Sequence, residues 1–261
     1  MILDEIVANK RTEIQHRQQR ISLAEFRNRA ESLPPARNFA NALVGEKVAL
    51  IAEIKRASPS RGVLNVQADP PRLAQTYTAG GASAISVLTD KKYFGGSLND
   101  LKSVRVAVQA PILRKDFIVD EYQVYESRAL QADAILLIVR VLADAQLRDY
   151  LAIAKSLGMS ALVEIHDQVD LERALTANAQ VIGINNRNLA DFTVDLMTTE
   201  RLAPGIASDR IVVAESGVFT RADVERAARA GARAVLVGEA LMRAADVGEK
   251  VRELASVKSG R

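Results

Sequence analysis

From residue 48 onward the chain repeats one pattern, in which a short run of Val, Ile and Leu is followed by an amphipathic segment rich in Ala and Arg. The apolar runs are continuous rather than alternating, which is typical of parallel strands that are covered on both faces. There are eight of them, at residues 48–55, 83–89, 111–115, 133–139, 160–166, 180–185, 210–215 and 233–238.

The segments between these runs carry the start and stop signals of helices. The segment 70–80 begins with a proline pair and ends at a glycine pair, and 220–230 begins with Thr220 and ends before Gly231. Strands that alternate with helices predict a parallel sheet. Eight such units in about 210 residues favour an α/β fold of the closed (β/α)8, or TIM-barrel, type. The alternative is an open doubly wound sheet, but no G-x-G-x-x-G motif follows the first strand.

The first 45 residues precede this repeat and form an N-terminal helical extension. Ile2, Leu3, Ile6, Val7 and Ile14 have helical spacing, a second helix is predicted over 22–32, and a proline pair then interrupts the chain. The extension is either a plug over one end of the barrel or a partial lid on its site. We predict a single barrel domain over 1–261, with 1–45 as part of it.

Composition excludes several classes of protein. Apolar residues make up 48% of the 261 residues, which is enough for a large core, and the formal net charge is only +3. The cations are not clustered with aromatic residues, so we expect no nucleic-acid partner. The chain has no Cys, which excludes disulfides and thiolate metal sites. Its amino end lacks a long apolar run, so we expect no signal peptide, no membrane contact and a cytoplasmic location.

Charged residues recur at the ends of the predicted strands. Residues two apart on a strand share a face, so Glu53 and Lys55 point into the barrel while Ile54 points outward. Lys and Glu recur at five of the eight ends, where a barrel carries its active site. A network of structural ion pairs is the alternative. Burying several charged groups is unfavourable unless they form ion pairs or have a catalytic function, so we favour a catalytic site.

The last two strands end in a pattern suited to an anion. Ser216-Gly217 leads into one helix, and Gly238-Glu239 leads into a short helix. Glycine lets the backbone approach an anion, and the first N–H groups of a helix are free to bind it. Barrels commonly bind phosphate after strands seven and eight, so we predict a phosphate site here.

Motifs along the whole chain resemble those of the indole-3-glycerol-phosphate synthase family, in its single-function form rather than the fusion with phosphoribosylanthranilate isomerase. They are LIAEIKRASPS at 50–60, SVLTD at 86–90, YFGGS at 93–97, LRKDFI at 113–118, LVEIH at 162–166, GINNRNL at 183–189, AESG at 214–217 and VGEALM at 237–242. The resemblance implies closure of 1-(2-carboxyphenylamino)-1-deoxyribulose 5-phosphate onto its carbonyl, loss of CO2 and then loss of water. This is a carboxy-lyase step of tryptophan biosynthesis and needs neither a cofactor nor a metal.

The resemblance also implies roles for the catalytic residues. Lys115 would be the general acid for ring closure, while Lys55 and Glu164 would share the acid and base work of dehydration, in an order that the sequence leaves open. Glu53 and Glu215 would keep the lysines charged, and Asn185 would bind a substrate hydroxyl or carboxylate.

Substrate binding is assigned in the same way. Arg187 would support Asn185, the phosphate would bind the backbone of the two glycine turns with help from Ser58, and apolar side chains would pack on the anthranilate ring. The residues concerned are Ser58, Phe94, Phe117, Arg187, Leu189, Ser216, Gly217, Gly238 and Glu239.

Two rival functions remain open at this stage. One is a Schiff-base aldolase that uses Lys115 or Lys55 as nucleophile, although the acidic neighbours disfavour the neutral amine that it needs. The other is a catalytically silent barrel that binds other enzymes. The expected partner is a small phosphorylated substrate, and the expected state is a monomer or weak homodimer.

Overall fold

The core of the protein is a closed barrel of eight parallel strands, seen in a computed structural model that describes residues 2–60, 62–65, 67–188 and 191–259. The strands are β1 Ala49–Ile54, β2 Ala84–Leu88, β3 Ile112–Lys115, β4 Ala134–Ile138, β5 Ser160–Ile165, β6 Val181–Asn185, β7 Ile211–Glu215 and β8 Ala234–Val237. Each pairs with the next, and β8 pairs with β1 from Ala49 opposite Ala234 to Ala52 opposite Val237. The predicted barrel is confirmed.

Helices precede the barrel and connect its strands. They are α1 Ile2–Gln18, α2 Leu23–Glu31, α3 Phe39–Ala42, α4 Pro70–Ala79, α5 Leu98–Ala107, α6 Glu121–Ala129, α7 Asp144–Ser156, α8 Gln168–Thr176, α9 Met197–Leu202, α10 Arg221–Ala230, α11 Glu239–Met242 and α12 Val247–Leu254. The predicted caps of α10 are confirmed, since Thr220 accepts a hydrogen bond from the N–H of Asp223 and Gly231 closes the helix with a φ of 108°. None of the helices in these described segments is long and apolar enough to cross a membrane.

Alternate strand residues build two separate apolar layers. On β1, Ala49 and Ile51 belong to the layer inside the barrel, whereas Leu50, Ala52 and Ile54 belong to the layer between strands and helices. This two-residue period continues to the strand end, so Glu53 faces inward and Ile54 outward, as the sequence predicts.

The N-terminal extension acts at both ends of the barrel. Phe39 and Leu43, both fully buried, pack in the inner layer against Ala49 and Ala84 at the amino ends of the strands. Each such side chain contributes about 1.5–3 kcal/mol through burial. Helix α1 instead lies at the carboxyl ends, where Ile6 lines a cleft. The extension therefore contributes to the inner layer of the barrel through α3 and to the wall of the cleft through α1.

Candidate active site

A cleft of about 1150 Å³, partly open to solvent, lies at the carboxyl ends of the strands. Five strands, β1, β3, β5, β6 and β7, each contribute a polar residue to its wall, and Gly238 lines it directly after β8. The predicted site residues found there are Glu53, Lys55, Ser58, Phe94, Lys115, Phe117, Glu164, Asn185, Arg187, Glu215, Ser216, Gly217, Gly238 and Glu239. The remaining predicted residue, Leu189, lies outside the described residues.

Lys115 is held between two carboxylates. Its Nζ lies 3.2 Å from Glu164 Oε2 and 3.2 Å from Glu215 Oε2, and both glutamates are almost completely buried. Burial by itself lowers the pKa of Lys115, but the charges of Glu215 and Glu164 outweigh burial and raise that pKa above its ordinary value. Lys115 is therefore an ammonium group at neutral pH.

The two glutamates beside Lys115 differ in their ionisation. Burial raises the pKa of Glu215, and the neighbouring charge of Glu164 raises it further, against the lowering effect of Lys115. For Glu164 burial also acts to raise the pKa, but Lys115 and His166 outweigh it and the net shift is downward. The pKa values of the two carboxyl groups that flank the ammonium are therefore shifted in opposite directions, as expected for two acids that share one buried site.

Glu164 is oriented by the strand next to it. Its Oε2 faces Lys115, while its Oε1 accepts a hydrogen bond of 3.1 Å from the Asn185 side chain and lies 3.3 Å from His166 Nε2. Asn185 Oδ1 in turn accepts the backbone N–H of Arg187 at 3.0 Å. The carboxylate therefore has a defined direction into the cleft. His166 itself is buried.

Lys55 and Glu53 form a second pair on β1. Lys55 Nζ lies 2.7 Å from Glu53 Oε1, and both side chains line the cleft. A Cβ at Gly238 would come within 2.3 Å of Glu53 Oε1, so the absence of a side chain just after β8 leaves room for the pair. Glu53 therefore forms the ion pair with Lys55, while Glu164 and Glu215 form the ion pairs with Lys115.

The turn after β7 has an unusual backbone. Ser216 and Gly217 both adopt positive φ angles, of 63° and 80°. The buried side chain of Asn186 holds this turn by donating to the carbonyl oxygens of Glu215 at 2.9 Å and Ser216 at 3.1 Å. Asn186 was missed as a supporting residue, because its position after Asn185 does not reveal that it would face the neighbouring strand.

The turn after β8 leads directly into α11. The carboxylate of Glu239 lies 3.7 Å from Arg187 and 3.5 Å from Arg243, so two cations offset its charge. Gly238 and the first residues of α11 present backbone N–H groups, as any helix start does. Together with Ser216 and Gly217 they form the part of the cleft that is suited to an anion.

The opposite part of the cleft is apolar. The rings of Phe94 and Phe117 lie with their centroids 6.0 Å apart, and both line the cleft. Ile2, Leu3 and Ile6 of α1 complete this wall. These three were predicted to form a helix but not to be site residues, although their helical spacing contained the signal.

Ser58 enters the cleft from the loop after β1. It is buried, and the short antiparallel hairpin of Ala57–Ser58 with Gly62–Val63 carries it. At the base of the loop, Arg56 pairs with Asp100 at 2.7 Å, which fixes the start of the loop to α5.

Comparison with known proteins shows the family to which the chain belongs. Residues 3–254 match the family model for indole-3-glycerol phosphate synthase. Proteins with that name from Roseiflexus sp. (strain RS-1) and Dehalococcoides mccartyi (strain CBDB1) are 51% and 49% identical, each over 97% of this chain and over 97% and 100% of their own lengths. A thiamine phosphate pyrophosphorylase from Pyrococcus furiosus shares the fold, with a TM-score of 0.60 at 18% identity over 81% of this chain and 95% of its own.

The fold and the site define an enzyme of the (β/α)8-barrel class, with ionisable residues at the carboxyl ends of its strands. More specifically, the chain belongs to the indole-3-glycerol phosphate synthase family.

Proposed function

We propose that this enzyme converts 1-(2-carboxyphenylamino)-1-deoxyribulose 5-phosphate to indole-3-glycerol phosphate, CO2 and water, as a step of tryptophan biosynthesis. The carrying observation is the position of Lys115, an ammonium group in the wall of a cleft that is apolar at one side and suited to an anion at the other. The substrate has the same three parts: an aromatic ring, a central carbonyl and a phosphate.

Ring closure forms a bond between the ring carbon that bears the carboxylate and the ribulose carbonyl carbon. Negative charge then develops on the carbonyl oxygen, and Lys115 donates a proton to it. Glu164 and Glu215 keep Lys115 in its ammonium form before the step. Loss of CO2 breaks the ring–carboxylate bond and returns its electrons to the ring, so the activity is that of a carboxy-lyase.

Dehydration requires that the new hydroxyl group leaves as water and that a proton leaves the adjacent carbon. Lys55 and Glu164 divide this work, and the lowered pKa of Glu164 favours the carboxylate as the base and Lys55 as the acid. Glu53, whose Oε1 lies 2.7 Å from Lys55 Nζ, holds that side chain in position in the cleft. Side chains alone can carry these proton transfers, so the proposal requires no cofactor.

The phosphate binds the backbone N–H groups at Ser216, Gly217, Gly238 and Glu239, with Ser58 as a further donor. Phe94 and Phe117 pack on the anthranilate ring. Asn185 binds a substrate hydroxyl or carboxylate, with Arg187 behind it. Location in the cytoplasm and a monomeric or weakly dimeric state stay predictions.

The proposal is tested by incubating the purified chain with the substrate and following the fluorescence of the indole product. The chain contains no Trp, so protein indole does not obscure the signal. The Schiff-base alternative is tested in the same preparation by adding borohydride, which would trap a covalent adduct on Lys115 or Lys55. We expect product without an adduct; an adduct without indole product would favour the aldolase.

A further inference from the structure

A lysine of the N-terminal helix lies in the interior and does not line the cleft. Lys10 is 1% exposed, and its Nζ lies 2.9 Å from Asp90, 2.9 Å from Asp116 and 2.9 Å from Glu13. Burial acts to lower its pKa, but Asp116 and Asp90 outweigh burial and raise that pKa. We call Lys10, Asp90 and Asp116 the buried lysine cluster.

Asp90 connects the cluster to the loop that carries one aromatic ring. Its Oδ1 accepts the backbone N–H of Tyr93 at 2.8 Å, and its carbonyl oxygen accepts the N–H of Gly96 at 2.8 Å. Phe94 lies between these two contacts. The same loop is joined to α1 a second time, since the Tyr93 hydroxyl donates to Glu5 at 2.8 Å.

Asp116 connects the cluster to the other ring. It directly follows Lys115, and its Oδ1 accepts the backbone N–H of Phe117 at 2.9 Å while its Oδ2 accepts from the Thr89 hydroxyl at 2.6 Å. One ammonium group therefore bridges the two carboxylates that order the Phe94 and Phe117 segments. Lys10 is also one helical turn from Ile6, one of the α1 residues that line the same cleft.

We propose that Lys10 is a positioning residue that aligns the aromatic side of the cleft, acting through Asp90 and Asp116 on the loops of Phe94 and Phe117. The inference rests on the proposed function in one respect, namely that the aromatic side of the cleft is where the anthranilate ring binds. None of the three cluster residues belongs to β7 or β8, whose turns form the anion-binding side. Loss of Lys10 should therefore affect the two sides of the cleft unequally.

The experiment compares two probes on the full chain, anthranilate by its fluorescence and inorganic phosphate by calorimetry. For Lys10→Met we expect the dissociation constant of anthranilate to rise by about tenfold or more, and that of phosphate to stay within about twofold. In the turnover assay, KM for the substrate should rise more than kcat falls. Equal weakening of both probes, or no change in either, would overturn the proposal.

A matched control separates this effect from general loss of stability. Arg105 lies 2.7 Å from the fully buried Asp133 near the amino ends of the strands. Arg105→Met should lower the melting temperature without changing the binding of either probe. If Lys10→Met does not fold, Asp90→Asn removes one charge of the cluster and keeps an oxygen for Tyr93. It should weaken anthranilate selectively, and unchanged anthranilate binding would then overturn the proposal.

Failure of the proposed function gives a different result. A wild-type chain that binds both probes but forms no indole product contradicts the assigned reaction. The changes that Lys10→Met causes in the dissociation constants of anthranilate and phosphate would still test the role of Lys10.

Discussion

Gly183 on β6 faces the carboxyl group of Glu215 on β7 so closely that a Cβ at Gly183 would lie 2.0 Å from Glu215 Oε1. That oxygen is buried and has no hydrogen-bond partner among the described residues, whereas Oε2 faces Lys115. The missing side chain on one strand therefore provides the space in which the neighbouring strand holds a carboxyl group beside the Lys115 ammonium group.

Gly183→Ala should displace Glu215 and, through it, Lys115. We expect a loss of about 1–3 kcal/mol in unfolding free energy from overpacking, together with a fall in kcat, because misplaced catalytic groups lose rate steeply. Denaturant unfolding and the fluorescence assay measure the two effects. Gly45→Ala is the matched control, since a Cβ there meets nothing within 4 Å, and it should change neither quantity. Normal turnover in Gly183→Ala would contradict the argument.

The two lysines should fail at different chemical steps. Lys115→Met removes the proton donor for ring closure, so kcat should fall by about 10²–10⁴-fold while the phosphate and ring contacts persist. Lys55→Met should act later and let a ring-closed intermediate accumulate. Rapid-quench analysis of single turnovers distinguishes the two. Both variants stalling at the same species, or near-normal turnover in Lys115→Met, would refute the division of roles.

Glu215 should make the free energy of unfolding depend on pH at values above the ordinary pKa of a glutamate. Burial and the nearby Glu164 raise its pKa from 4.5 to about 8, so the folded state retains a proton that the unfolded state has lost. This stabilising effect is present at low pH and is lost as pH rises through that interval, at most by about 1.4 kcal/mol per pH unit. Glu215→Gln should remove the slope.

Denaturant unfolding at several pH values between 5 and 8 measures this difference. The wild type should lose stability relative to Glu215→Gln as the pH rises. The exposed Glu46 provides a control, because Glu46→Gln should run parallel to the wild type. Parallel curves for Glu215→Gln as well would show that Glu215 is already ionised at neutral pH.

The turn after β7 should affect substrate binding more than chemistry. Gly217 has a φ of 80°, and a Cβ there would lie 2.6 Å from Val194, so Gly217→Ala should distort the N–H groups that are proposed to bind phosphate. We expect KM and the dissociation constant of inorganic phosphate to rise by about tenfold, with a smaller change in kcat. Steady-state kinetics and calorimetry check this.

Gly81→Ala controls for backbone strain in the Gly217 experiment. Gly81 also has a positive φ, of 103°, but it follows α4, away from the cleft, and is absent from the cleft lining. Both variants should lose stability, and only Gly217→Ala should lose phosphate affinity. A similar loss of phosphate affinity in both would mean that the turn after β7 has no special part in binding.

The sequence by itself determined the architecture and the direction of the main side chains. Eight apolar runs predicted eight strands to within one residue of their ends, since strand formation and burial depend on local composition. The two-residue period along a strand then put Glu53 inside the barrel and Ile54 outside, which needs no knowledge of neighbouring strands.

Only the tertiary structure decided which of these side chains meet. Lys115 contacts Glu164 and Glu215 rather than Glu53, and Lys10 lies between Asp90 and Asp116, which are far from it in sequence. Such pairings depend on how far each strand is shifted against the next when the barrel closes, and on where α1 packs across its end. The strand shift and the position of α1 are set by the whole chain. A local sequence pattern shows which face of the strand a residue occupies, but not its position along the barrel axis.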